Sequence, residues 1–400
     1  MRTVLPENRR TWKRAQPASL LAAAAIGAIF LLQPAPLRAQ DTPKFAIDED
    51  CQAFDISADN SIVYAVPRMK RVKRLIIERD DISISEGPGK VRRIVEADKF
   101  MPIPPPAGYV IDSLKWSPDG KHIAVNMTLQ GAPPGYADKL AQEEAKKKEK
   151  KKDKDKDHEE DREEDLPIPG VGGGRAIALL DDDGREIKVA GAKTRFIEGA
   201  VNGTWLADGS TVAYLSGGGP YAIVRVRPSD GQTKTLFEGH TFNTVIWDAK
   251  NNRAFAVGDS LSLRGRLTLV QLDLEHERVT EIAPIESYQG GLSLSPSGTK
   301  IGYFEDGDTI DVLDLAHPGK PVRVRAGFGR FEWSRDERRV LLKRGPEDRS
   351  NILLWVGLYD GKIASILHDL QFRDFRIAPG GESIAVTVPG KRVLKVFPLQ

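Results

Sequence analysis

The sequence predicts an all-β fold: a seven-bladed β-propeller of four-stranded antiparallel blades, its ring closed by strands from both termini. Three observations predict it. One hairpin pattern recurs along the chain, its later copies fall about 40 to 45 residues apart, and a short alternating stretch precedes the first copy where the last copy lacks a strand.

The type copy is LKWSPDGKHIAVNM, Leu114 to Met127. Pro118 presets φ for a turn, Asp119 bonds locally, Gly120 accepts positive φ, and Ile123 and Val125 share one face of the second strand. A lone hairpin is marginal in water, so such a unit needs neighbours. The copies are FDISADNSIVYAV (54–66), NGTWLADGSTVAYL (202–215), VIWDAKNNRAFAV (245–257), LSLSPSGTKIGYF (292–304), FEWSRDERRVLLK (331–343) and FRIAPGGESIAVTV (375–388). Equivalent anchors are Ile56, Trp116, Trp205, Trp247, Leu294, Trp333 and Ile377. Outer hairpins such as AIALLDDDGREIKV, AIVRVRPSDGQTKTLF and ILLWVGLYDGKIASIL supply the second half of each unit. The first two steps are longer because of insertions: strand-rich in the first unit, charged over 131–174 in the second. The last unit ends after its third strand, and KFAID (44–48) can supply the fourth, removing open sheet edges. Eight blades, with two hidden in the long first unit, is the rival reading.

The organisation expected is a signal peptide over 1–39 and a propeller domain over 40–400. Arg9, Arg10, Lys13 and Arg14 form a basic start, Ala18 to Leu32 an apolar run, and Leu37 and Ala39 a cleavage signal, placing the cut near Ala39 and Gln40. The run is short for a membrane span, so the mature chain is expected in the periplasm or secreted, without a span; whether export uses the general or the twin-arginine route stays open. Cys51 is the single cysteine, so no internal disulfide can form. A net charge of +2 gives no basic excess for nucleic acid.

The repeats WSPDGKHIAV, WLADGSTVAYL, LSPSGTKIGYF, WSRDERRVLL and IAPGGESIAV, with the DDDG, SDG and YDG turns, resemble the TolB-type, WD-repeat-like propeller family, which also builds the N-terminal propeller of prolyl oligopeptidase relatives. The resemblance implies a propeller and says little about function. Neither the α/β domain that precedes the TolB propeller nor the hydrolase domain that follows the peptidase propeller is expected here.

No residue stands out as catalytic, cofactor-binding or metal-ligating. A Gly-x-Ser-x-Gly elbow, His-Glu-x-x-His and a phosphate loop are all absent; SGGGP (216–220) and EGPGKV (86–91) read as turns. His122, His158, His240, His276, His317 and His368 show no metal-ligand spacing, and Asp181-Asp182-Asp183-Gly184 reads as an outer turn. The recurring tryptophans are expected between blades, the alternative being an aromatic ligand platform. In the insertion, Lys146 to Lys156 is strongly basic and Asp157 to Asp165 strongly acidic, a solvated spacer or an interaction arm.

The expected function is an exported, monomeric binding or scaffold module for a protein or peptide partner, without catalysis or cofactor. The alternatives are a lactonase- or lyase-type propeller enzyme with its site at the channel mouth, or a propeller split from a peptidase. Carboxylates or histidines converging in the channel would favour an enzyme; a channel of small and apolar groups would favour the module.

Overall fold

The computed structural model describes residues 43–72, 75–100, 108–130, 174–192, 196–217, 221–238, 240, 242–259, 266–344, 352–367, 371–388 and 393–399. The stretch expected to be a signal peptide (1–39), most of the charged insertion, His158 and His368 lie outside the described residues.

Seven four-stranded antiparallel sheets follow one another along the chain as blades 1 to 7. Their inner strands are Ala53–Ile56, Gly108–Trp116, Ala200–Trp205, Thr244–Asp248, Gly290–Leu294, Gly329–Trp333 and Asp374–Ile377. Each predicted anchor is the last or next-to-last residue of its inner strand. In blade 7 the fourth strand is Phe45–Ile47, which pairs antiparallel with Val393–Pro398 through Phe45↔Val396 and Ile47↔Leu394. The closing strand read from KFAID is therefore in place.

The recurring turn is held by its own side chains. Ser117 Oγ donates to Asp119 (2.5 Å) and accepts the amides of Lys121 and His122, while Gly120 sits at φ 71°. Ser57 with Asp59 and Ser334 with Asp336 repeat the serine-to-aspartate bond. These local bonds direct the chain back on itself and set the turn of the hairpin.

A single sheet cannot bury both its faces, and the packing shows how the ring solves this. The buried apolar residues fall into seven clusters, each drawn from two neighbouring blades. Trp116 packs in the cluster of blades 1 and 2, Trp205 in that of 2 and 3, Trp247 in that of 3 and 4, and Trp333 in that of 5 and 6. Two are also tied by hydrogen bonds to the preceding blade: Trp247 Nε1 donates to the Asn202 carbonyl at 2.7 Å, and Trp333 Nε1 to the Ser293 carbonyl at 3.4 Å. Burying each such ring contributes roughly 1.5–3 kcal/mol.

Blade 1 departs from the pattern in length. Its second and third strands, Ile62–Val72 and Leu75–Ser85, each have 11 residues and form one long hairpin, not two blades. Its root is stitched to the start of blade 2: the buried Asp80 accepts the Ile111 amide at 2.7 Å, and Tyr109 donates to the Asp80 carbonyl at 2.9 Å. The Asp81 carboxylate accepts from the Ala97 amide, Arg68 and Arg93. Among the described residues no helix is long and apolar enough to cross a membrane.

Candidate functional site

The inner strands surround a cavity of about 830 Å³ on the ring axis, lined by residues from blades 2 to 7. Aligning the inner strands on their anchors explains its chemistry. The residue just before each anchor is Asp55, Lys115, Thr204, Ile246, Ser293, Glu332 and Arg376, in blade order. All but Asp55 line the cavity. Adjacent members of this series sit on adjacent blades, so the column read from the sequence is a ring in space.

That ring is split into two arcs. Blades 3, 4 and 5 contribute the neutral Thr204, Ile246 and Ser293. Blades 6, 7, 1 and 2 contribute Glu332, Arg376, Asp55 and Lys115, charges of alternating sign. Two residues earlier on the strands the charge is confined to blades 6 and 7, since blades 1 and 2 carry Ala53 and Ser113. Asn202, Thr244 and Gly291 line the neutral side, whereas Arg330 of blade 6 pairs with Asp374 of blade 7.

Glu332 is the hub of the charged arc. Its Oε1 accepts from Arg376 at 2.6 Å and from Arg330 at 3.1 Å, and its Oε2 accepts the Ile377 amide at 2.8 Å. Asp55 repeats the arrangement between blades 1 and 2, accepting the Trp116 amide at 2.9 Å. In both places a carboxylate fixes the anchor residue of the next blade. Burial pushes the Glu332 carboxyl up to about 7; Arg330 and the Ile377 amide oppose the rise, while Asp374 and Asp55 add to it. Asp55 is raised for the same first reason, and Lys115 opposes the rise. At the cavity edge stand Lys250 and Arg335, the latter donating to the Gly380 carbonyl at 2.9 Å.

Trp247, Leu294, Trp333 and Ile377 line the cavity as well as packing between blades, so the interblade and platform readings of the tryptophans describe the same side chains. Trp205 is 2% exposed and takes no part; His122 stacks on it at 4.6 Å between ring centroids. Among the other predicted positions, Asp181 caps its own turn through the Asp183 and Arg185 amides, and Trp355 lies in a blade under Arg339. Among the described residues no group of three or more His, Cys, Asp or Glu is placed to hold a metal ion. Spacing motifs along the chain miss Glu332 and Arg376, because their partners come from other blades; the signal that finds them is the repeat alignment.

No protein-family model matches the sequence, and no curated protein matches it. Among solved structures, the chain is similar to one from the crystal structure of a mitotic checkpoint complex, at 14% identity and a TM-score of 0.54, with 99% of each chain covered. It is also similar to the Cps50 (Swd1) β-propeller domain of Myceliophteria thermophila, at 11% identity and a TM-score of 0.54, with 90% of this chain and 100% of that one covered. At these identities the likeness is one of fold: a β-propeller.

Proposed function

We propose that this chain is an exported β-propeller that binds a protein or peptide partner through its central channel and performs no chemistry of its own. The observation that carries the reading is the two-arc ring. A neutral arc flanked by tryptophans offers apolar contact, and a charged arc braced by its own ion pairs offers fixed orientation; few, placed polar groups beside apolar wall are what a binding site needs. Glu332 and Asp55 each hold a neighbouring backbone amide, a use that keeps the ring rigid. Export rests on the basic start, apolar run and Ala39–Gln40 cleavage signal, with the periplasm or the extracellular space as the destination. Assignment of the repeat to the TolB type rests on WSPDGKHIAV and its copies.

The test is capture of partners by residues 40–400 from envelope extract of the source organism, with Trp247→Ala and Arg376→Gln variants alongside. A stoichiometric partner lost from both folded variants supports channel binding, and a partner retained by both removes it. Mass analysis of the exported chain tests the compartment: a mature chain starting near Gln40 supports export with cleavage. One observation favours a second reading. A carboxyl raised to about 7 in a channel suits a general acid or base, as in a lactonase- or lyase-type enzyme. Turnover of a lactone panel that disappears in Glu332→Gln would move the assignment there.

A further inference from the structure

We propose that the channel recognises a carboxylate of an extended peptide, docked at Lys115, with Lys250 lining the same cavity from blade 4, while the peptide chain lies along the neutral arc. This inference rests on the binding reading above and names the chemistry of its partner.

The arc runs Glu332, Arg376, Asp55, Lys115, negative and positive by turns. Its first member is more than satisfied, since Glu332 is held by two guanidiniums and an amide. Arg376 has Glu332 on one side, and Asp55 belongs to the blade on the other. Lys115 is different because the alternation stops there. The next blade contributes Thr204, which carries no charge. The ammonium of Lys115 has no hydrogen-bonding partner among the described residues, and the one charge set against it is Asp55, whose Oδ2 already accepts the Trp116 amide. Two blades on, Lys250 lines the same cavity and is likewise without a hydrogen-bonding partner among the described residues.

One open cation, the half-buried Lys115, thus stands at the boundary between the charged arc and the neutral one, while the exposed Lys250 lines the cavity from blade 4, within the neutral arc. A cation partly removed from water and lacking a full partner gains most from an anion that brings hydrogen-bond acceptors with it. Among the described cavity-lining residues of blades 3 to 5 Lys250 is the one charge, too few to hold a phosphate-rich or multiply charged ligand, and the Ile246, Trp247 and Leu294 surface suits the apolar body of a peptide. One carboxylate at the boundary, with the rest of the chain on the apolar wall, meets both conditions. The carboxylate can come from a peptide C-terminus or from an Asp or Glu side chain.

The experiment uses the mature chain, residues 40–400, and a random hexapeptide library with free C-termini. Each selected peptide is resynthesised with its C-terminus amidated, and separately with Asp and Glu replaced by Asn and Gln. The expected result is at least a tenfold loss of affinity in one of the two arms, which identifies the source of the carboxylate, and disappearance of that difference in Lys115→Gln. Since Lys115 makes no hydrogen bond among the described residues, this variant keeps its fold, and Lys250→Gln gives an independent, smaller loss. Peptides that bind equally well with every carboxylate neutralised overturn the inference and leave the binding reading standing. A library that yields no binder at all removes both.

Discussion

Replacing Glu332 by Gln should remove most of a pH dependence in stability that this one carboxyl imposes. In the unfolded chain a glutamate titrates near 4.5, and in the folded ring Glu332 titrates at about 7. The folded state therefore holds the proton more tightly than the unfolded state. The stabilisation is fully present below pH 4.5 and is lost as pH rises through 7, where the ionised carboxylate must be kept in the channel wall. The interval corresponds to about 3 kcal/mol, a ceiling because the side chain is 18% exposed and partly solvated. Glutamine keeps the shape and the acceptor for the Ile377 amide and cannot ionise. At pH 5 the variant should lie close to wild type; by pH 8 it should have gained up to about 3 kcal/mol relative to it. Urea unfolding followed by tryptophan fluorescence at pH 5, 6, 7 and 8 measures the difference directly. Curves for the two proteins that run parallel across this range would refute the reasoning, because they would mean Glu332 titrates at its ordinary value in the folded ring.

Asp80 should show the same sign by the same logic. Burial pushes it up to about 7, so Asp80→Asn should flatten the fall in melting temperature between pH 5 and pH 8, measured in parallel with Glu332→Gln. Ile47→Ala tests ring closure: the residue is 5% exposed in the closing strand, and its truncation should cost about 2–5 kcal/mol in urea unfolding, with no loss expected if the strand were not docked. Gly231→Ala tests the outer turn of blade 3. The glycine has φ +68° and its missing Cβ would run into the Ala190 carbonyl, so the variant should lose at least about 1–2 kcal/mol, read as a lower melting temperature.

Most of the architecture was legible because propeller geometry repeats. Seven hairpins with equivalent anchors, and KFAID ahead of the first, pointed to seven blades and to closure, since each blade obeys local turn chemistry and buries itself against the next. The long first unit was ambiguous between one blade and two. Its strands read as a continuous apolar and charged mixture, and only pairing across all 11 positions settles it as one hairpin. Asp80 and Asp81 were opaque for a related reason: in LIIERDDISIS nothing nearby marks them as buried, and their partners are distant in sequence, the Ile111 amide for Asp80 and the Ala97 amide, Arg68 and Arg93 for Asp81.

The channel was legible in principle, but only by reading down the repeats. Searching along the chain asks for ligands at short spacing, and a propeller axis never satisfies that, because neighbouring ring positions come from different blades. Read as a column, the residues before the anchors form a circular sequence, since blade 7 is adjacent to blade 1 once Phe45–Ile47 closes the ring. In a circular sequence, adjacency of charge becomes a physical constraint: like charges side by side in a partly buried wall would repel, and the order Glu332, Arg376, Asp55, Lys115 avoids every such contact. The three neutral positions that follow keep the alternation from running around the whole ring. A wall that alternated throughout would compensate itself everywhere and present no preferred site. This one leaves a cation at the seam between its two halves, and it is the interruption of the pattern that gives the channel a direction.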